Sequence, residues 1–382
     1  MERNPMLQTP DVPAEGASHI GQHHTLKEIL QQPVLWPTTL ERVRAAAVRL
    51  ALLPGLKGAR VLLTGAGTSA YAATAVASAW PKAVGVPTTD LLVDPERYLA
   101  EVDVVISLAR SGNSPESAAV VERARALRPE ILQLAITCSE DSALAKSSVD
   151  GHITLDPRTN DRSLVMTSAF SNLVLAGLLL AQPEVVASLV EPASARGKEL
   201  LPAIDKLCQR AAARVRDRIV VLASSPFLGW LREAGLKTLE MTNGHFPVIS
   251  ETYLGLRHGP ISFVKADTLV LCLLSSDPQR RLYELDLVRE LRLKELGYLV
   301  GITDAEGADE LFDAVIPAVL PQAPDELRTP FEILAPQLLG YHLSLGRGID
   351  PDNPSPDGVM NRVVRGFKIH PVSLGGRAAT NV

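Results

Sequence analysis

Short, continuously apolar runs alternate with longer stretches of helical periodicity along most of this chain. RVLLTG from Arg60, DVVISLA from Asp103, ILQLAIT from Ile131 and HITLD from His152 are too short for stable helices and are bounded by turn-forming residues. Apolar strands of this kind, separated by helices, predict a parallel sheet covered on both faces. The pattern then returns about 160 residues later. RIVVLASS from Arg218 matches RVLLTGAG from Arg60, and ADTLVLCLLSS from Ala266 matches VDVVISLARS from Val102. GYLVGITD from Gly297 matches LQLAITCSE from Leu132, and DAVIPA from Asp313 matches DGHITL from Asp150. One α/β unit, duplicated, accounts for the repeat, with helices near 183–215 joining the copies. A final helix from Pro330 to Gly346 and a Pro/Asp/Asn-rich tail follow. Ahead of the first strand, HTLKEILQQPVLWPTTLERVRAAAVRLALL from His24 reads as helices broken at Pro33 and Pro37. The expected divisions are a loose leader at 1–20, N-terminal helices at 21–57, copy one at 58–195, copy two at 196–348 and a closing tail at 349–382.

Composition agrees with that layout and narrows the function. At 382 residues, 46% hydrophobic and 21% charged, the chain suits two ordinary domains. The net charge of −5 and the absence of a long basic run give no footprint for nucleic acid or an anionic membrane, so any anion must be held by a local site. The most apolar stretch, Leu164 to Ala181, is interrupted by Thr167, Ser168, Ser171 and Asn172 and reads as a buried helix rather than a membrane span. The first twenty residues contain no apolar core of signal-peptide length, so the expectation is a cytoplasmic protein. Cys138, Cys208 and Cys272 are widely spaced in apolar surroundings and are expected as buried thiols.

Two loops stand at the carboxyl ends of the predicted strands, the usual ligand edge of such sheets. TGAGTSA (Thr64 to Ala70) runs into an Ala-rich helix, placing the Thr68 and Ser69 hydroxyls where a helix N-terminus favours anions. RSGNSPES (Arg110 to Ser117) offers Ser111, Asn113, Ser114 and Ser117 as short donors, a curvature-permitting Gly112 and a first-turn Pro115. Either loop alone could be a Ser-rich cap; together they predict a phosphate site. The second copy has SSDPQ (Ser275 to Gln279) at the matching place, where an aspartate would repel phosphate, so one phosphate site is expected, in copy one.

In WLREAGLKTLEMTN from Trp230, residues Glu233, Lys237 and Glu240 recur on one helical face. By itself that is the pattern of a solvated salt-bridge stripe. LRHGP from Leu256 puts His258 in a turn, a common incidental placement. The ordered set GAGTSAY, ARSGNSPES, EAGLKTLE and LRHGP resembles the sugar isomerase (SIS) domain family, including the isomerase half of glucosamine-6-phosphate synthase. HTLKEILQQPVLW from His24 and NRVVRG from Asn361 are similar to the galactosamine-6-phosphate deaminase/isomerase family, also called tagatose-6-phosphate ketose/aldose isomerases. The likeness spans roughly residues 22–370.

The resemblance implies two tandem SIS domains, each a flavodoxin-like three-layer αβα unit, and a homodimer or higher oligomer with a shared active site. It implies phosphate contacts from Thr68, Ser69, the Arg110 backbone, Ser111, Asn113 and Ser114, and sugar contacts from the Leu164 to Thr167 segment. Glu240 matches the family's general base, on one helix with Lys237 and Glu233, and His258 the ring-opening histidine donated across a dimer interface. Two positions depart from the synthase pattern: Ala109 replaces a phosphate-loop serine, and Val363, Val364 and Arg365 stand where its tail has a lysine. Lys368 is out of register for that role, leaving Arg362 or Arg365 to close the site without covalent chemistry. No cysteine precedes Cys138 to serve a glutaminase, so ammonia release is expected rather than glutamine use.

The implied reaction is conversion of an amino-hexose 6-phosphate, galactosamine 6-phosphate first, to ketose 6-phosphate and ammonia, with no metal or organic cofactor; His23 and His24 read as leader residues. A plain aldose–ketose isomerase would use the same residues. A sugar-phosphate-sensing regulator is a third reading, but residues 1–57 balance six Lys/Arg against five Asp/Glu, unlike a DNA-reading segment.

Overall fold

A computed structural model describes residues 23–51, 55–363, 366 and 368–370. The leader expected at 1–20, and Val364 and Arg365 of the tail, lie outside the described residues.

The repeated apolar runs form two five-stranded, wholly parallel sheets. The first comprises β1 (Val61–Gly65), β2 (Ala83–Pro87), β3 (Val104–Ala109), β4 (Leu132–Thr137) and β5 (Gly151–Thr154), in the order β2-β1-β3-β4-β5. The second comprises β6 (Ile219–Leu222), β7 (Val248–Glu251), β8 (Leu269–Leu273), β9 (Tyr298–Ile302) and β10 (Ala314–Ile316), wired identically as β7-β6-β8-β9-β10. Identical wiring makes the duplication a property of the fold, and each copy is the helix-flanked parallel α/β unit expected. The strand order reverses between the first and third strands of each copy, opening a crevice at their carboxyl ends.

Alternation along the strands assigns each sheet two faces. Leu63, Ile106, Ile136, Val221, Leu271 and Val300 all belong to one central core, which runs continuously through both copies. The intervening Leu62 and Val105 face one private core, and Val220, Val270 and Leu299 another. The central core is filled by helices that include Thr68–Ser78, Ser168–Ala181, Pro183–Ala212, Leu228–Met241 and Leu334–Gly346.

Several elements differ from the sequence reading, each for a physical reason. Strands β2 and β7 are edge strands, half-covered and broken by Gly and Pro in AVGVP, so their apolar signal is weak. The N-terminal segment breaks at Gln31, between helices His24–Leu30 and Gln32–Arg49; His24 thus opens a helix instead of ending a leader. Pro33 sits at the tolerated start of the second helix, and Pro37 lies inside it. Pro37 cannot donate to the Pro33 carbonyl, and the Ser194 hydroxyl bonds that oxygen instead, at 2.6 Å. The copies are joined by one 30-residue helix, Pro183–Ala212, and residue 195 lies within it. The last helix is two, Asp325–Glu332 and Leu334–Gly346. Pro336 leaves the Glu332 carbonyl without its helical donor, and the Trp230 indole occupies it at 3.0 Å. Among the described residues no helix is long and apolar enough to cross a membrane, and Ser168–Ala181 is buried on every side.

Candidate active site

Helix Thr68–Ser78 begins immediately after β1, and helix Pro115–Leu127 after the loop that follows β3. A cleft of about 350 Å³ opens between these two starts. Ser69, Ser111, Gly112, Ser114 and Ser117 line it, together with Thr68 and Arg110. Gly112 has φ of 66°, and a Cβ there would stand 2.7 Å from the Ser142 hydroxyl, so both backbone and space require glycine. Asn113 is turned away: its Oδ1 accepts the Ala143 N–H at 2.9 Å, fixing the loop from behind, and it is not among the cleft-lining residues.

The opposite wall comes from copy two. Glu240, near the end of helix Leu228–Met241, reaches the cleft with its side chain 23% exposed. Behind it Lys237 and Glu233 are wholly buried. The stripe that spacing alone would leave in water is instead pressed against helix Thr68–Ser78 of copy one. Lys237 Nζ donates to Glu240 Oε2 at 2.6 Å, to Thr68 Oγ1 at 3.0 Å and to the Met166 carbonyl at 3.1 Å. It also lies 3.3 Å from Glu233 Oε1, which receives the Thr68 hydroxyl at 3.3 Å. Burial pushes the Glu233 carboxyl up to about 8, with Lys237 opposing and Glu240 reinforcing the shift. Burial lowers the Lys237 pKa, but the two carboxylates together outweigh it and hold the ammonium above its ordinary value.

Thr68 lines the cleft as expected of a phosphate-loop residue, and its hydroxyl also has partners in copy two. Its hydroxyl hydrogen and a lone pair are committed to Glu233 and Lys237, so it joins the phosphate-loop side to the charged ladder.

The third wall is the segment between β5 and helix Ser168–Ala181. Leu164 and Met166 line the cleft; Thr167 does not, its N–H going to Asp161 at 2.7 Å and its carbonyl accepting from Gln337. Asp161 also accepts the Ala169 N–H at 2.9 Å and the Ser168 hydroxyl, closing the start of the helix. Burial, reinforced by Glu28, raises its carboxyl to about 6. Glu28, from the first helix, accepts the Arg162 N–H at 2.5 Å and the Ser163 hydroxyl. Val359, Met360, Asn361 and Arg362 of the tail complete the lining. Met166 lies in the segment expected to touch the sugar and Asn361 opens the NRVVRG motif, whereas Met360 carried no local signal, because only long-range packing brings it here. Lys368 is exposed and absent from the lining, and so is His258, which is exposed in the turn after helix Tyr253–Leu256.

The matching loop of copy two explains the asymmetry differently from the sequence reading. Asp277 turns inward to cap helix Pro278–Leu293, accepting the Arg280 N–H at 2.8 Å. The loop donors are taken by Asp325, from the start of a distant helix. Its carboxylate accepts the Ser276 N–H at 2.7 Å, the Ser276 hydroxyl at 2.9 Å, Arg328 at 3.1 Å, and the Ser275 hydroxyl and Arg280 as well. An internal carboxylate thus occupies the nest that in copy one stays open to the cleft.

The family model for the SIS domain matches residues 57–182. The D-galactosamine-6-phosphate deaminase AgaS of Shewanella sp. is 35% identical, over 94% of this chain and 94% of its own. The Escherichia coli protein of the same name is 35% identical, over 91% of this chain and 95% of its own. The crystal structure of tagatose-6-phosphate ketose/aldose isomerase from Escherichia coli has a TM-score of 0.83 at 30% identity, covering 93% of this chain and 99% of that one.

Proposed function

This chain belongs to the SIS-domain family of phosphosugar deaminases and isomerases, and from that premise we propose that it converts galactosamine 6-phosphate to tagatose 6-phosphate and ammonia. The observation that carries the reading is a single cleft with the serine loop of copy one on one side and the Lys237-braced carboxylate of Glu240 on the other.

The serine loop, with the N-terminus of helix Thr68–Ser78, holds the 6-phosphate by neutral donors and backbone N–H groups. Ring opening exposes the C1 aldehyde next to the amine-bearing C2. Glu240 removes the C2 proton, acidified by that carbonyl, to give an enaminol. Its return to C1 leaves a C2 imine; water adds to C2, the C–N bond breaks and ammonia departs. Lys237 donates to Glu240 Oε2 at 2.6 Å and so orients the carboxylate toward the cleft.

His258 is the proposed ring-opening residue, acting on the cleft of a second copy. Its exposure away from this chain's cleft supports that assignment, as does the exposed Leu254 on the preceding turn. Mixing inactive Glu240→Gln and His258→Asn proteins is expected to restore activity through hybrid dimers; no recovery after verified subunit exchange would reject the shared site.

Ammonia release from galactosamine 6-phosphate, glucosamine 6-phosphate and galactose 6-phosphate tests the chemistry directly. Release from the first, in preference to the second, is expected. Isomerisation of galactose 6-phosphate with no ammonia from either amino sugar would replace the reading with that of a plain aldose–ketose isomerase. Glu240→Gln is expected to lower kcat by about 10²–10⁴-fold with KM little changed. A variant of near-normal turnover would remove Glu240 from the role of base.

A further inference from the structure

Arg110 follows β3 directly and its backbone is tied to the sheet, its carbonyl accepting the Cys138 N–H at 3.0 Å. The side chain bends into the cleft wall and is only 6% exposed. Its guanidinium donates to three carbonyls: Ser163 and Leu164, both at 3.2 Å, and Arg362 at 3.1 Å. Among the described residues it forms no salt bridge. Burial lowers its pKa, Asp161 and more weakly Glu240 oppose this from a distance, and the like charge of Arg362 adds to it. Asp161 already accepts three donors at the head of its helix, and Glu240 is paired with Lys237. A buried guanidinium has therefore been left with carbonyl dipoles and no paired counter-ion, beside a cleft suited to an anion.

The same contacts tie two chain segments together. Arg110 holds the Arg362 carbonyl, while the Arg362 guanidinium donates back to Asn160 Oδ1 at 3.0 Å and to the Asp161 carbonyl. Leu164 N–H further bonds the Asp352 carbonyl at 3.0 Å. The two arginines cross-tie residues 160–164 to the tail, and both segments contribute to the cleft wall. Of the charged lining residues, Arg110 and Arg362 are cationic and Glu240 is anionic. In a chain of net charge −5, these arginines supply the local positive field that composition requires of any anion site here.

We propose that the Arg110 side chain is the counter-charge for the substrate's phosphate dianion and, through the same guanidinium, couples phosphate binding to the seating of residues 359–362 over the site. This rests on the phosphosugar reading of the cleft, but not on which sugar is used or whether ammonia is released. A dianion entering the serine loop supplies the missing counter-ion, strengthening the cation's hold in its buried position and with it the contact to the Arg362 carbonyl. Arg110 is on this account a positioning residue, acting on the reacting atoms through the phosphate and the tail.

The test uses the full chain and inorganic phosphate, with calorimetric affinity and trypsin cleavage after Arg362 as readouts. Wild type is expected to bind phosphate, more tightly at pH 8 than at pH 5, where the monoanion dominates, and bound phosphate is expected to slow the cleavage. Arg110→Met is expected to weaken phosphate at least about tenfold, flatten that pH preference and abolish the protection. Arg110→Lys keeps the charge without the three-carbonyl fork, so affinity is expected within a few-fold of wild type while protection is lost. Met protein with unchanged affinity, or Lys protein with full protection, overturns the proposal; the Lys variant carries the test if the Met variant does not fold. Wild type that shows both phosphate effects yet releases no ammonia from any amino sugar would refute the proposed reaction and leave this inference standing.

Discussion

At the scale of single residues, the most informative group is Glu233. Its carboxyl is fully buried, one oxygen lacks a hydrogen-bond partner among the described residues, and its pKa stands at about 8 against an ordinary 4.5. The folded protein therefore keeps a proton that the unfolded chain gives up above its ordinary value. This term makes folding less favourable as pH rises from about 4.5 to about 8, with no penalty below that range. Near pH 8 Glu233 of the folded protein loses its proton and adds a negative charge beside Lys237. With neutral Glu233 as the working form, kcat is expected to fall as pH rises through about 8. Glu233→Gln, which cannot ionise but can still accept from Thr68, is expected to remove that alkaline limb; a limb that persists would assign it elsewhere. Spacing in the sequence showed that Glu233, Lys237 and Glu240 share a helical face. It could not show that the face is buried, because the covering helix lies some 160 residues away in the chain.

At the scale of elements, the breaks expected at Pro33 and Pro37 fall instead at Gln31, and what a proline or loop does depends on partners from elsewhere. Pro37 does not end its helix because Ser194 bonds the carbonyl that the proline leaves free. Ser194→Ala is expected to cost about 1–2 kcal/mol, with the loss seen as a lowered denaturation midpoint at constant m-value. The copy-two loop makes the same point about charge. Its acidic residue was visible in SSDPQ, but the carboxylate that fills the loop is Asp325, contributed by the helix that packs beside Ser168–Ala181. Asp325→Ala removes a buried partner of Arg328 and should destabilise the fold by about 3 kcal/mol. If the loop is a nest held by this carboxylate, phosphate should raise the Tm of the variant more than that of a variant also lacking Ser276. Equal shifts in the two would argue against it.

At the scale of the whole molecule, the site exists because the two copies share a core. Helix Thr68–Ser78 of copy one and helix Leu228–Met241 of copy two meet at Gly229, where a Cβ would lie 2.6 Å from the Tyr71 carbonyl and from Ala75 Cβ. That closeness brings Glu240 opposite the serine loop. Gly229→Val is expected to cost about 1–3 kcal/mol by overpacking and to lower kcat/KM although it touches neither wall of the cleft. Unaltered kinetics would mean that the helices separate without moving Glu240. The continuous central core also predicts a single cooperative thermal transition, checked by calorimetric against van't Hoff enthalpy. Two resolved transitions would show the copies to be independent.

By itself the sequence determined what depends on local pattern: the central parallel strands, the repeat, most helical segments, and the serine loop and charged helical face. Period-2 and period-3.6 patterns, Gly and Pro constraints and cap residues act within a few residues of one another, so they can be read in one dimension. Tertiary structure alone decided which of those groups meet. It buried the Glu233–Lys237 pair against Thr68, turned Asn113 and Thr167 away from the cleft, filled the second loop with Asp325 and seated the tail on Arg110. Each of these joins residues whose separation in sequence bears no fixed relation to their distance in space, except Thr167, whose N–H is claimed locally by Asp161. The dielectric surroundings that set their charges follow from that packing.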